Sequence, residues 1–334
     1  MRIALDAMGG DHAPKEVVQG AILAASEYQV EIVLVGDQKV IERELQGDTV
    51  NGLITVEHAP EVIGMDEHPA AAVRRKRNAS VVVCNTLVKE GLADAVVSAG
   101  NTGAAMAASL FGLGRIKGIE RPAIGTVIPT GQGSMVLTDA GANADCKAKH
   151  LQQFAVMASV YADKVLGIDN PKVALINIGA EETKGNELTQ GVYSLLKNTA
   201  GINFVGNVEG RDLMWGPVHV AVCDGFVGNV VLKTLEGTAM FVLNTVKKSL
   251  EPLMAEVDPV KLKQVLTGAK KHLDYSEYGG APLLGVNGVS IVSHGSSEAY
   301  AIKNAVRVAK ESVTVNLVAA IADSIGLIEK EELA

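Results

Sequence analysis

Aromatic side chains are scarce in this chain: one Trp, five Phe and six Tyr make up 4% of 334 residues. The core must then be filled by Val, Leu, Ile and Ala, while 35 glycines supply many tight turns, a balance that favours an α/β layer fold. Cysteines number three, Cys84, Cys146 and Cys223. They are odd in number and form no CxxC pair, so neither a disulfide framework nor a zinc site is signalled, which suits a reducing cytoplasm. Positive charge is not in excess either. A net charge of −8 argues against a nucleic-acid binder, which would cluster Lys and Arg to neutralise phosphates. The one dense basic run is Arg74-Arg75-Lys76-Arg77. No run reaches the ~18 apolar residues of a membrane span, and the chain opens directly into Met1-Arg2-Ile3-Ala4-Leu5 without a charged leader, so neither export nor a transmembrane segment is expected.

Familiar catalytic signatures are missing as well. There is no GxxxxGK[ST] phosphate loop, no GxSxG nucleophile elbow and no HExxH metal pattern, and Gly112 to Gly118 misses the dinucleotide-binding spacing by one residue. No metal or cofactor is called for.

Short β-branched runs alternate with helix-length amphipathic stretches. Strands are expected near 2–5, 30–35, 53–56, 94–98, 123–128, 135–138, 172–178, 203–208 and 219–222. Helices are expected near 14–27, 79–91, 102–113, 147–166, 186–198, 229–250 and 296–323. This alternation predicts a doubly wound, largely parallel sheet in an α/β/α sandwich. No repeat or linker divides the chain, so 1–334 reads as a single catalytic unit, with room for two interleaved lobes around a cleft.

In such sheets ligands bind beyond the carboxyl ends of strands, where loops meet helix N-termini rich in free N–H groups. The first such loop is Asp6-Ala7-Met8-Gly9-Gly10-Asp11-His12-Ala13-Pro14. Gly9 and Gly10 permit close backbone approach to an anion; the alternative is that Asp11 caps the following helix and His12 packs beside it. Ser98-Ala99-Gly100-Asn101-Thr102-Gly103 feeds a small-residue helix and could cradle an anion, or could merely allow tight packing. Lys184, in the loop after the strand 172–178, is the best-placed cation for a phosphate or a solvated surface lysine. Cys223-Asp224-Gly225-Phe226-Val227-Gly228-Asn229 leads into the longest helix. Asp224 there could act as acid, base or acceptor, while Cys223 lacks a neighbouring His and reads as a buried small apolar residue rather than a nucleophile. His294, after the run 289–292, is either structural or an anion or proton ligand.

Taken together, the Asp6 to Pro14 and Ser98 to Gly103 loops, Asp139-Ala140-Gly141-Ala142-Asn143, Cys223 to Asn229, Leu284-Gly285-Val286-Asn287-Gly288 and Ser293-His294-Gly295-Ser296 resemble the bacterial phosphate acyltransferases of phospholipid synthesis, end to end. The resemblance implies a fold similar to phosphotransacetylases and to isocitrate and isopropylmalate dehydrogenases, without a nicotinamide site. It implies transfer of a fatty acyl group from acyl carrier protein to inorganic phosphate, a homodimer, and a product passed to a membrane glycerol-3-phosphate acyltransferase. Phosphate is itself a competent nucleophile, so missing catalytic triads are expected. Asn101, Lys184 and Asn229 become candidate donors to the oxyanion, with Asp224 orienting them or serving the leaving thiol. Gly9, Gly10, His12, Gly100, Thr102, Gly103, Gly228 and His294 become candidate phosphate and substrate contacts. Arg74, Arg75, Lys76 and Arg77 are candidates to meet the acidic carrier protein, or else form a solvated helix face. The 229–266 stretch is the candidate for reversible attachment to a membrane surface, although its helix proper, 230–246, is expected to build the dimer core. Leu253, Met254 and Val257, beside Lys261 and Lys263, would form an apolar tip that touches a membrane surface. Two rivals stand: a phosphotransacetylase using a coenzyme A thioester, and a non-catalytic protein binding acyl carrier protein or lipid through the Arg74 to Arg77 run.

Overall fold

The structure, a computed structural model, describes residues 1–250, 268 and 277–332, with side chains described to Ile328. Eleven strands form one sheet in the order β3-β2-β1-β4-β11-β10-β5-β6-β9-β7-β8. They are β1 (Arg2–Asp6), β2 (Glu31–Gly36), β3 (Ile54–His58), β4 (Ala95–Ser98), β5 (Ala123–Thr130), β6 (Gly133–Thr138), β7 (Lys172–Asn177), β8 (Asn203–Glu209), β9 (Val220–Val222), β10 (Ala281–Leu284) and β11 (Val289–Val292). The strands on each side run parallel, and antiparallel pairings of β10 and β5 join the two halves. The chain returns after β9 to lay β10 and β11 beside β4, so the first half is completed by the last strands. The inner parallel strands β1, β2, β4, β7 and β9 are near-continuous runs of Val, Leu, Ile and Ala, as strands covered on both faces must be.

Helices cover both faces. In the first half, α1 (Lys15–Tyr28) and α9 (Ala299–Thr314) share one core with β1, β2 and β4. Gly20 makes that crossing possible: a Cβ there would lie 2.5 Å from Ile302 Cβ. On the other face α4 (Ser80–Lys89) and α5 (Thr102–Gly112) pack their small residues. In the second half, α6 (Ala148–Lys164), α7 (Glu187–Lys197) and α10 (Leu317–Glu332) bury Phe154, Met157, Tyr161, Leu196 and Ile321 on one face. On the opposite face α8 (Gly225–Leu250) lays Val231, Leu232 and Leu235 over β6, β7 and β9.

All nine expected strands form, and the fold class is as the sequence predicts. The departures have local causes. The 296–323 stretch is two helices bent by 55°, because Asn316 takes a left-handed φ of 50° and ends the first. The helix expected from 229 starts at Gly225. β10 was missed because Gly279, Gly280 and Pro282 read as a loop. The helices α2 (Gln38–Leu45) and α3 (Pro69–Arg75) are too short to show periodicity, although Asp37 caps α2 by accepting from Lys39 N and Val40 N. Among the described helices, α8 is long and apolar enough to cross a membrane by length and composition. Lys233 and Glu236 interrupt its apolar run in sequence without lowering its average much.

Candidate active site

Two glycine-rich loops leave the carboxyl ends of the sheet, one in each half, and each is braced from beneath by a buried aspartate. Asp6 ends β1 and is 2% exposed. It accepts from Ser98 Oγ at 2.7 Å and from Met8 N at 3.3 Å. Burial pushes its carboxyl above the ordinary value, and hydrogen bonds from Ser80 and Ser98 pull it partly back. Gly9 lies so close that a Cβ would meet Asp6 Oδ2 at 2.5 Å and Gly100 N at 2.8 Å. Gly10 has φ of 118° and sits against the carbonyl oxygen of Gly295, to which Asp11 N donates at 2.8 Å. The candidates Gly9, Gly10, Gly100 and the 294–297 turn are thereby one surface.

In the second half Asp139 follows β6 and is fully buried. Its Oδ1 accepts from the backbone N–H groups of Ile124, Gly141 and Ala142 at 3.0, 3.2 and 2.9 Å. Its Oδ2 accepts from Asn143 N at 2.7 Å and Asn143 Nδ2 at 2.8 Å. Five donors fix the 139–143 loop, although desolvation still leaves the carboxyl above its ordinary value. The first turn of α8 rests on this loop. Gly225 N donates to Asn143 O at 2.8 Å, and a Cβ on Gly228 would overlap the Asp139 carbonyl oxygen. Asp224 caps the helix by accepting from Val227 N at 2.8 Å. Asn229 comes to lie beside Gly141, within 3.6 to 3.9 Å of where a Cβ would stand.

Lys184 lies beyond β7, which pairs with β9 in register Leu175 to Val222; its loop and the Asp224 loop therefore leave neighbouring strand ends. The loop is tied down by Asn177, whose Nδ2 donates to Lys184 O at 3.1 Å. The Lys184 ammonium is exposed, with no ion pair or hydrogen bond among the described residues. Among those residues it makes no hydrogen bond or ion pair to Asn229 or to the Gly10 loop.

Other candidates are placed differently. Asn101 caps α5 by accepting from Ala104 N at 3.0 Å, and its Nδ2 donates to the carbonyls of Gly64, Met65 and Glu67. Its amide thus clamps the 64–67 loop over the first glycine loop. Thr102 opens α5 exposed, and Gly103 gives room to Pro69 of α3, 2.6 Å from a Cβ. His12 is exposed beside the first loop. His294 Nδ1 lies 2.7 Å from Ser296 Oγ and accepts from Ser296 N at 3.2 Å, so the neutral ring carries its proton on Nε2. In the basic run, Lys76 and Arg75 pair with Glu67 at 2.5 and 2.8 Å, while Arg74 stacks on Phe111, 5.0 Å from its centroid. Arg77 is exposed. Leu253, Met254 and Val257, with Lys261 and Lys263, lie outside the described residues.

Asp6 and Asp139 stand inside the two loop motifs but are not among the site residues expected from sequence. The available signal was an acid at the very end of an apolar strand, followed by glycine. Cys223 is buried and its thiol is pushed well above its ordinary value by burial; Cys146 is pushed up to about 11 by the same cause. Neither is a thiolate nucleophile at neutral pH.

Between the halves runs a cleft of about 750 Å³. His12 and the His294 turn line it from the first half, β5 and α8 from the second.

The fold and sequence have close counterparts. Residues 1–320 match the family model described as "Fatty acid synthesis protein". A phosphate acyltransferase from Desulforamulus reducens is 62% identical over 97% of each chain. Another from Pelotomaculum thermopropionicum is 58% identical, covering 98% of this chain and 96% of its own. Among solved structures, a phosphotransacetylase from Staphylococcus aureus shares the fold, with a TM-score of 0.58, 16% identity and 94% of each chain covered. With its two loops braced on a doubly wound sheet and its near-complete match to those relatives, the chain belongs to the phosphate acyltransferase family of fatty acid and phospholipid synthesis, a family of acyl-transferring enzymes.

Proposed function

We propose that this enzyme moves a fatty acyl group from acyl carrier protein to inorganic phosphate, releasing the carrier thiol and an acyl phosphate. The observation that carries this is the cleft of about 750 Å³ between the halves, which adjoins the first of two aspartate-braced glycine loops through His12 and the His294 turn. A phosphate oxygen attacks the thioester carbonyl, the resulting oxyanion collapses, the C–S bond breaks, and the departing thiolate takes a proton. Lys184 and Asn229 supply charge and a donor to phosphate and oxyanion, an arrangement in which each donor contributes ~3–4 kcal/mol to the transition state. Asn101 acts by holding the 64–67 loop against Gly9, Gly10 and Gly100. Asp224 orients α8, and hence Asn229 and Gly228. Thr102, Gly103, His12 and His294 border the phosphate. No bound metal or cofactor enters the scheme.

Arg74, Arg75, Lys76 and Arg77 form the carrier-protein contact, with Arg74 and Arg77 the freer pair. The exposed outward side of α8, where Phe226 is 66% and Phe241 70% exposed, supports a homodimer built on this helix. The 253–257 tip would give a peripheral membrane contact near a glycerol-3-phosphate acyltransferase, in an otherwise cytoplasmic enzyme organised as one catalytic unit of two interleaved lobes. The test is to offer purified protein palmitoyl carrier protein or palmitoyl coenzyme A with phosphate and to trap product with hydroxylamine. Phosphate-dependent hydroxamate, formed more efficiently from the carrier thioester, is expected. A clear preference for the coenzyme A thioester would favour the phosphotransacetylase alternative, and binding without turnover the non-catalytic one.

A further inference from the structure

The cleft between the halves has one wall made by a single stripe of α8. Leu232, Leu235, Ala239 and Leu243 recur at helical spacing and all line it. From Leu232 to Leu243 the stripe is about 16 Å long at the rise of an α-helix. Facing it are residues 126–129 of β5 and the start of α9 at Tyr300 and Ala301. Val230 and Phe241 fall on the opposite side of the helix and are 51% and 70% exposed, so the cleft wall and the outward face are different surfaces. The charged side chains in the lining are Glu236 and Glu298, with no Lys or Arg among them. An anionic headgroup is thus disfavoured inside, and an uncharged apolar occupant is favoured.

The cleft also has an identifiable mouth. His12 and His294 line it, and the turn carrying His294 is the one whose Gly295 carbonyl takes the hydrogen bond from Asp11 N. The cleft therefore adjoins the end of the first glycine loop. We infer that this cleft holds the hydrocarbon chain of the acyl donor, with its thioester end at the Gly10 loop, and that the α8 stripe sets the chain length accepted. The inference rests on the proposed acyl transfer and adds where the chain lies.

The experiment measures kcat/KM for a series of saturated acyl thioesters from four to sixteen carbons. Each buried methylene is worth about fourfold, so kcat/KM should climb with length and level off where the cleft is full. Ala239→Trp and Leu235→Trp, on the cleft-facing stripe of α8, should each move the plateau to shorter chains and lower the sixteen-to-eight-carbon ratio at least about tenfold. Both variants are checked for unchanged Tm and for sedimentation. A ratio within about twofold of wild type in both, or no chain-length dependence in the wild type, overturns the inference. So does loss of self-association with an unchanged ratio, which would make the stripe a subunit contact. Calorimetric binding of unreactive S-alkyl coenzyme A thioethers of the same lengths separates the two claims. Length-dependent binding that the Trp variants abolish supports the cleft even if no acyl phosphate forms, whereas absent acyl phosphate from every thioester refutes the proposed reaction.

Discussion

Gly228→Ala is the sharpest perturbation of the second loop. A Cβ at 228 would stand 1.9 Å from the Asp139 carbonyl oxygen, 2.9 Å from its carbonyl carbon and 3.1 Å from Cys223 Sγ. The first distance lies 1.1 Å inside the 3.0 Å that Cβ contacts essentially never cross (3.0 − 1.9). Asp139 cannot yield, because five hydrogen bonds fix its loop. The helix must lift instead. Helix propensity alone would make Gly→Ala stabilising by ~1 kcal/mol; overpacking a fixed site costs ~1–3 kcal/mol or more. A net loss of about 2 kcal/mol is therefore expected, with an ~10²-fold fall in kcat/KM, since a shift near 1 Å would carry Asn229 away from Gly141. Gly326→Ala in α10, where a Cβ would meet nothing within 4 Å, is the control and should gain stability. Calorimetric Tm and hydroxamate trapping read both. A Gly228→Ala protein as stable and active as wild type would refute the packing argument.

Lys184→Ala and Asn229→Ala should each lower turnover by ~10²–10³ with the fold intact by circular dichroism; near-normal rates in both would remove them from the site. Neutralising Arg74 and Arg77 should raise the KM for acyl carrier protein and flatten its salt dependence, whereas neutralising Arg75, already paired with Glu67, should do less. Asp6 gives a pH signature. Its folded value is raised above 3.8, so the folded protein keeps a proton that the unfolded chain releases. The stability it confers is complete below 3.8 and is lost as pH rises through the folded value. Asp6→Asn should flatten that slope in urea unfolding; equal slopes would contradict the burial argument.

The layer fold was legible because apolar runs and amphipathic stretches alternate, and covered parallel strands cannot hide their composition. The break at Asn316 was not, since a single left-handed residue leaves the apolar period intact on either side. The glycine loops were legible as positions where backbone must approach something. What they approach was not: the Asp139 carboxylate gathers Ile124, Gly141, Ala142 and Asn143 from two segments, and no spacing encodes that convergence. Asn101 shows the opposite case. Its residue type suggested an anion donor, but at an N-cap position the side-chain oxygen goes to Ala104 N and the amide to nearby carbonyls.

The central claim is that phosphate itself attacks the thioester. Incubating the enzyme with palmitoyl carrier protein and phosphate labelled with ¹⁸O at every oxygen, without nucleotide, tests it by mass spectrometry of the product. The account predicts an acyl phosphate that keeps all of the labelled phosphate oxygens, including the one bridging to carbon. An acyl phosphate lacking label at the bridging oxygen, or release of free fatty acid alone, would contradict it.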